Sequence, residues 1–250
     1  MHRFYLPPEQ CRGPHLALAG TEAHHAAHVL RLRPGARVLI LDGAGAQITA
    51  DVQAVGGQTV ELNVIERAQS PAPEHRLTLL QALPKGKLIE SIIQKATELG
   101  AHRIVPLLSE RAAIRLDDER VERKSGKWRQ VAVEAAKQCG TAWLPIIDNP
   151  VSPQEFLERR ERCDLALVAS LQPDSRHAGE PFRHYREQHN RNPETVCVWV
   201  GPEGDFTPAE LDAIRAAGAV PISLGPLVLR TDTAAVYCLS VLNHELRSTL

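Results

Sequence analysis

Cysteine is sparse and scattered in this chain. Cys11, Cys139, Cys163, Cys197 and Cys238 stand far apart, odd in number and without a Cys-x-x-Cys pair. That spacing suggests neither a disulfide framework nor a zinc site. Aromatic residues are few, at 4%, but charged residues stay at 24%, which is a globular balance and not a disordered one. No run approaches the ~20 apolar residues that span a bilayer. The first residues also lack the apolar stretch of roughly 7–15 residues that marks a secretory signal. A reducing cytoplasm, with no membrane partner, is the expected location. Charge of one sign is missing too. The formal net charge is -1, so the chain does not carry the footprint of a strongly basic nucleic-acid binder. Its distribution says more: residues 76–140 hold 13 Lys and Arg against 8 Asp and Glu, whereas residues 1–70 hold six of each. A local basic surface contacts phosphates even on a neutral protein.

Common catalytic signatures are absent. Lys85-Gly86-Lys87 lacks the Gly-x-x-x-x-Gly-Lys-Ser/Thr form of a P-loop, and no Gly-x-Gly-x-x-Gly follows a strand. Neither His-Glu-x-x-His nor Gly-x-Ser-x-Gly occurs. At 250 residues the chain has room for one or two domains with a sizeable core.

The pattern changes near residue 70. Before it, short strands are predicted at Arg3–Leu6, His15–Leu18, Arg37–Leu41, Ala46–Val55 and Thr59–Glu66, the last two joined by Gly56-Gly57. One helix interrupts them, capped by Thr21 and running to about Arg31. His24, His28 and Arg31 then share one helix face, either as a plain solvated surface or as one that meets RNA. A small β-barrel with one helix fits residues 1–70. The polar, proline-bearing stretch Ala68–Glu74 reads as linker, centred on 71–75. From residue 76 to 250, strands alternate with helices. Strands are predicted at Leu77–Leu80, Arg103–Leu108, Asp164–Ala169, Val196–Val200 and Val220–Leu224. Helices are predicted at Lys87–Leu99 and Trp128–Cys139, from Thr207 through Ala217, and from Thr231 or Asp232 to about Arg247. The fold class is therefore α/β, a mostly parallel sheet with helices on both faces.

Two loops carry the chemistry. Gly201-Pro202-Glu203-Gly204 follows the strand that ends at Val200, and Leu224-Gly225-Pro226 follows the next strand. Glycine lets a ligand approach the main chain and proline stiffens the loop, so the pair forms a backbone-lined crevice at strand ends. Glu203 either bonds a ligand there or staples the turn. The helix opening at Thr231 offers free N–H groups to an anion, and Arg230 beside it suits a carboxylate or a phosphate. Lys85 and Lys87 form a solvated loop able to contact phosphate. Glu98 and Arg111 either pair as a surface ion pair or leave Arg111 to position a substrate.

The blocks 199–206, 210–211 and 224–234 resemble the signature of the RsmE family of SPOUT-superfamily methyltransferases. The likeness extends upstream through 94–100, 109–111 and 134–140 to Arg3-Phe4-Tyr5 and His28-Val29-Leu30-Arg31, in the family's order. It implies an enzyme that uses S-adenosylmethionine (SAM) to methylate N3 of a uridine in 16S ribosomal RNA. It also implies a PUA-like RNA-binding domain at residues 1–70, a deep trefoil knot in the domain 76–250 and a homodimer. Its substrate is the RNA or the small ribosomal subunit. Carried onto this chain, the cofactor set is Ser170, Leu171, Gly201, Pro202, Glu203 and Gly204, with Leu224, Gly225, Pro226, Leu229, Thr231, Thr233 and Ala234. Arg230, Glu203 and Arg111 are the catalytic candidates, with Glu98 and Asp232 as further possible bases; no metal is implied. The RNA set is Arg3, Tyr5, His24, His28, Arg31, Arg33, Lys85 and Lys87. Three positions depart from the family: it usually has glycine at Asp205, arginine at Leu227 and glutamate at Asp232. Those departures keep two alternatives open, an RNA-binding protein without catalysis and a SPOUT enzyme acting on another RNA site.

Overall fold

Alternating burial builds the first unit, Met1–Ala72 together with Val133–Leu144. The computed structural model describes residues 1–112 and 118–247, with only the backbone of 118–120. Strands β1 (His2–Tyr5), β2 (His15–Ala19), β3 (Arg37–Leu41), β4 (Ala46–Val55) and β5 (Thr59–Gln69) form one sheet in the order β1-β3-β4-β5-β2. β1 runs parallel to β3 and the other pairs are antiparallel. Every second residue points inward, so Val38, Ile40, Ile48, Ala50, Val52, Val60 and Leu62 share a core with Phe4, Leu16 and Leu18. β5 continues past the predicted end at Glu66. Beyond the bulge at Thr49/Ala50, Glu66 to Gln69 pair with Thr49 to Ala46. Their side chains are exposed, and for that reason a polarity reading takes Ala68 and Gln69 for linker.

The helix of this unit differs from expectation. α1 (Gly20–His24) starts one residue before Thr21, which makes no capping bond, and it continues as a π-helical turn over His25–Val29. Leu30 N–H and Leu32 N–H bond back to His25 O and Ala26 O, and Arg31 leaves the helix at φ 52°. Arg31 therefore does not share the histidine face. His24 and His28 do, with rings stacked 4.7 Å apart.

The second unit is Pro73–Ala132 with Pro145–Leu250, of which 248–250 lie outside the described residues. Its strands are β6 (Arg76–Ala82), β7 (Arg103–Leu107), β8 (Ile146–Ile147), β9 (Leu165–Ala169), β10 (Arg176–His177), β11 (Thr195–Val200) and β12 (Val220–Ser223). They form a seven-stranded sheet, order β10-β12-β9-β11-β6-β7-β8, with every pair parallel. α2 (Leu88–Glu98) buries Ile89, Ile92, Ile93 and Ala96 and packs on α7 (Thr231–Arg247). α4 (Pro153–Glu158) and α6 (Pro208–Ala216) sit together, and Phe156, Leu211 and Ile214 cluster with Val168 and Trp199. α5 (Gly179–His189) lies on β9 and β10. α4, α5, β8 and β10 had no counterpart in the sequence reading. α3 (Asp118–Cys139) starts ten residues before the predicted Trp128, because its first turns are highly charged and show no apolar stripe. Its last turns, from Val133, belong to the first unit, although the pattern places them in the second domain.

Asp164 joins the starts of β9 and β11. It accepts the N–H groups of Glu194 (2.8 Å) and Thr195 (3.0 Å), the Tyr185 hydroxyl (3.0 Å) and Arg191 Nη2 (3.1 Å). Desolvation opposes its charge, yet the backbone and Arg191 bonds together hold its carboxyl well below the usual range. A depressed folded pKa means this stabilisation is complete above the unfolded value of about 4 and is lost as pH falls toward the folded one. Asp164→Asn is expected to cost about 2 kcal/mol at neutral pH and to flatten the acid limb of the urea-unfolding profile. An acid limb identical to the wild type's would refute this.

Candidate active site

The parallel order places the ends of β9, β11 and β12 side by side, and the loops that leave them enclose a crevice of about 270 Å³. Ala169, Ser170 and Leu171 line it from β9, and Val200, Gly201, Pro202, Glu203 and Asp205 line it from β11. The remaining wall is Leu224 and Gly225, then Leu227 to Thr231, and Ala234 on α7. Of the predicted cofactor residues, Gly204, Pro226 and Thr233 are not part of this lining. Ala169, Val200, Asp205, Leu227 and Val228 are, although the motif reading did not include them. Asp205 and Leu227 were legible as departures from the family pattern; the other three carried no signal beyond lying at strand ends or between two motif residues.

Side chains from distant loops hold the crevice in shape. Thr231 is buried; its hydroxyl donates to Gly201 O at 2.7 Å and accepts from Gln81 Nε2 at 3.0 Å. Glu203 Oε1 accepts the Lys85 N–H at 3.1 Å, and Arg111 Nη1 donates to Gly204 O at 2.8 Å. Glu210 closes a capping box with Thr207 and also accepts the Glu110 N–H at 2.8 Å. Thus Arg111 does not pair with Glu98, which instead pairs with Lys95 at 2.9 Å. It braces the loop from outside the lining. Asp205 sits at φ 59°, a left-handed geometry that an Asp side chain tolerates, and its Oδ1 accepts the Phe206 N–H at 2.8 Å.

Among the candidate bases, Glu203 alone lines the crevice. Asp232 has one buried oxygen, Oδ1, without a hydrogen-bond partner, and Glu98 lies on α2. Arg230 is exposed and lines the crevice. Beyond Glu203, Arg230 and the polar side chains of Ser170, Asp205 and Thr231, the lining is apolar walls and main chain, which suits a flat heteroaromatic ring between leucines with polar ends on backbone groups. Gly201 sharpens the fit: a methyl group there would stand 2.8 Å from Asp205 Oδ1 and 3.3 Å from Phe206 N. Among the described residues, no group of three or more His, Cys, Asp or Glu side chains is placed to hold a metal ion.

In the first unit, His24, His28, Arg31 and Arg33 are exposed. Arg3 Nη1 donates to Lys137 O and Gln138 O (3.1 and 2.9 Å), capping the last turn of α3. Tyr5 is half-buried, and burial followed by the nearby Glu9 pushes its phenol pKa up. Lys85 and Lys87 are exposed on the second unit.

Residues 70–243 match the family described as RNA methyltransferase domain, and residues 18–65 match the RNA methyltransferase PUA domain. Ribosomal RNA small subunit methyltransferase E of Bacillus subtilis is 30% identical over 93% of this chain and 91% of its own length. The chain belongs to the ribosomal RNA small subunit methyltransferase E family. A methyltransferase from Legionella pneumophila, solved in complex with SAM, superposes with a TM-score of 0.86 at 31% identity, covering 97% of this chain and 96% of that one. The Neisseria gonorrhoeae ribosomal RNA small subunit methyltransferase E, bound to SAM, gives a TM-score of 0.84 at 27% identity, with the same two coverages. Family membership accounts for the PUA domain and for the parallel sheet together.

Proposed function

We propose that this protein is a SAM-dependent methyltransferase that modifies N3 of a uridine in 16S ribosomal RNA. The observation that carries this is the crevice at Gly201–Asp205 and Leu224–Thr231, a main-chain cradle in a chain of the family whose solved relatives hold SAM. Leu224 and Leu229 are assigned to the adenine faces, and Gly201 and Gly225 to close main-chain approach. SAM, when bound, supplies a methyl group already activated by its sulfonium. The chain's own task is alignment of acceptor and donor, which supplies several kcal/mol. Uridine N3 must also lose its proton. Glu203, with Oε1 anchored on Lys85 N–H, presents Oε2 as acceptor, and the Arg230 guanidinium stabilises the resulting uridine anion. The target base leaves its stack to reach the crevice, and the exposed cations of each unit hold neighbouring phosphates.

Isothermal titration of the folded protein with SAM tests the cradle, and the absence of binding heat or competition would end the reading. Nucleoside mass spectrometry of 16S RNA from a deletion strain tests the product: 3-methyluridine should be missing, and an unchanged level would redirect the activity to another site. Arg230→Ala is expected to lower kcat by about tenfold while SAM affinity stays within about threefold. A reversed pattern, tight turnover with weak SAM, would move Arg230 to the cofactor carboxylate.

Leu171, Leu227 and Val228, exposed at 61%, 73% and 78%, form an apolar rim on the crevice. We assign that rim to a second copy of the chain, because exposed apolar clusters of this kind mark association surfaces. Light scattering should give a dimer, and Val228→Glu should give a monomer. The knot in residues 76–250 and the cytoplasmic location belong to the same reading. Among the described residues no helix is long and apolar enough to cross a membrane.

A further inference from the structure

At the other end of the sheet, two thiols meet. Cys163, in the loop before β9, has its Sγ 3.2 Å from Sγ of Cys197, which lies inside β11 between Ala166 of β9 and Thr78 of β6. Both sulfurs are free and half-buried. Two cavities of about 550 and 490 Å³ open onto the pair, and each is lined by both cysteines. Arg160 and Arg162 line the first; Arg76, His102 and Arg162 line the second. The facing carboxylates are committed elsewhere: Asp148 and Glu161 to Arg103 and Arg159, and Asp164 to Arg191 and Tyr185. Arg76, Arg160 and Arg162 thus line the approach from solvent, while Asp164 and Glu161 are the charges that act on the sulfurs, each raising the pKa of the thiol it faces.

We propose that Cys163 and Cys197 form a thiol–disulfide exchange site for a small, carboxylate-bearing disulfide. The site closes to an intramolecular Cys163–Cys197 bond. The two sulfurs are not equivalent. Cys163 lies in the loop before β9, where a reagent reaches it first, whereas Cys197 is held inside β11, and its contact with Cys163 together with burial pushes its thiol well up. Cys163 is thus the attacking thiolate. Its sulfur bonds to one sulfur of the reagent, the reagent's S–S bond breaks, and the departing thiolate takes up a proton equivalent to the one Cys163 lost. Cys197 then attacks Cys163 Sγ, displaces the second small thiolate and passes its own proton to it. Two protein thiols are oxidised by two electrons and one disulfide is reduced to two thiols. Cys197 lies four residues before Gly201, in the half of β11 farther from the crevice, and neither cysteine lines the crevice, so this inference stands apart from the methyl-transfer reading.

The test uses the full-length protein carrying Cys139→Ser, which removes the exposed thiol. Oxidised glutathione is added, the reaction is quenched with acid, and intact mass and peptide mapping follow. The expected product has lost two hydrogens, with the bond mapped to Cys163 and Cys197. Cys197→Ser should instead accumulate the glutathione adduct on Cys163, and Cys163→Ser should leave Cys197 unmodified over the same time. Arg162→Glu should slow the reaction with oxidised glutathione about fivefold and hasten it with the dication cystamine. No bond between the two cysteines in the otherwise wild-type protein overturns the site. Equal Cys197 labelling without Cys163 overturns the assigned order of attack. Equal effects of Arg162→Glu on both reagents overturn the charge preference.

Discussion

Thr231→Val is expected to lower the unfolding free energy by about 3 kcal/mol, which is roughly a 6–12 °C fall in Tm for a unit of this size. Valine matches the shape of threonine, so packing is kept and the effect isolates the hydroxyl. In the wild type that hydroxyl serves two groups at once, donating to Gly201 O at 2.7 Å and accepting from the fully buried Gln81 at 3.0 Å. Removing it leaves a main-chain carbonyl and an amide N–H short of a partner in a place water does not freely reach, and such orphaned groups cost more than the bond they lost. Because one of them sits on the crevice wall, SAM affinity should fall together with stability. Thr231→Ser keeps the hydroxyl and should recover most of both. If the valine and serine variants melt at the same temperature, the bridge contributes nothing.

Gly201→Ala should act on the cofactor while sparing the fold. A β-carbon at this position meets Asp205 Oδ1 at 2.8 Å and the main chain of Asp205 and Phe206 at 3.3 Å. The oxygen cannot swing away cheaply, because it is held by the Phe206 N–H. The loop Gly201–Asp205 must therefore shift by a few tenths of an ångström or more, and it shifts within the crevice. We expect SAM to bind about 100-fold more weakly, equivalent to about 2.7 kcal/mol. The Tm should fall by only a few degrees, since the loop lies at the surface end of β11 and not in the core. A dissociation constant within threefold of the wild type's would remove Gly201 from the cradle.

The sequence carried the elements whose periodicity is local. α2 was legible because Ile89, Ile92, Ile93 and Ala96 recur on one face, and α6 because Thr207, Pro208 and Glu210 mark its start. α4 has the same kind of signal in Ser152, Pro153 and Glu155, and its capping box forms, yet its six residues are too few to show a stripe. The early turns of α3 escaped for a different reason: a run of charges has no apolar period to follow. Within the crevice, Leu224, Gly225 and Leu229 were readable from loop chemistry. Ala169 and Val200 were not, because a small or branched residue at a strand end looks the same with or without a ligand beside it.

By itself the sequence determined the mostly parallel α/β class, the short strands before residue 70 with the hairpin at Gly56-Gly57, and the positions of the stiff glycine-proline loops. These follow from side-chain alternation and turn chemistry within a few neighbouring residues. Tertiary structure alone decided that Thr231 reaches Gly201, that Lys85 meets Glu203, that Arg111 braces Gly204 instead of pairing with Glu98, and that Cys163 touches Cys197. Those partners lie 30 to 118 residues apart. They meet because β11 is inserted between β9 and β6, and strand order is set by the summed burial of whole elements, which no short stretch of sequence records.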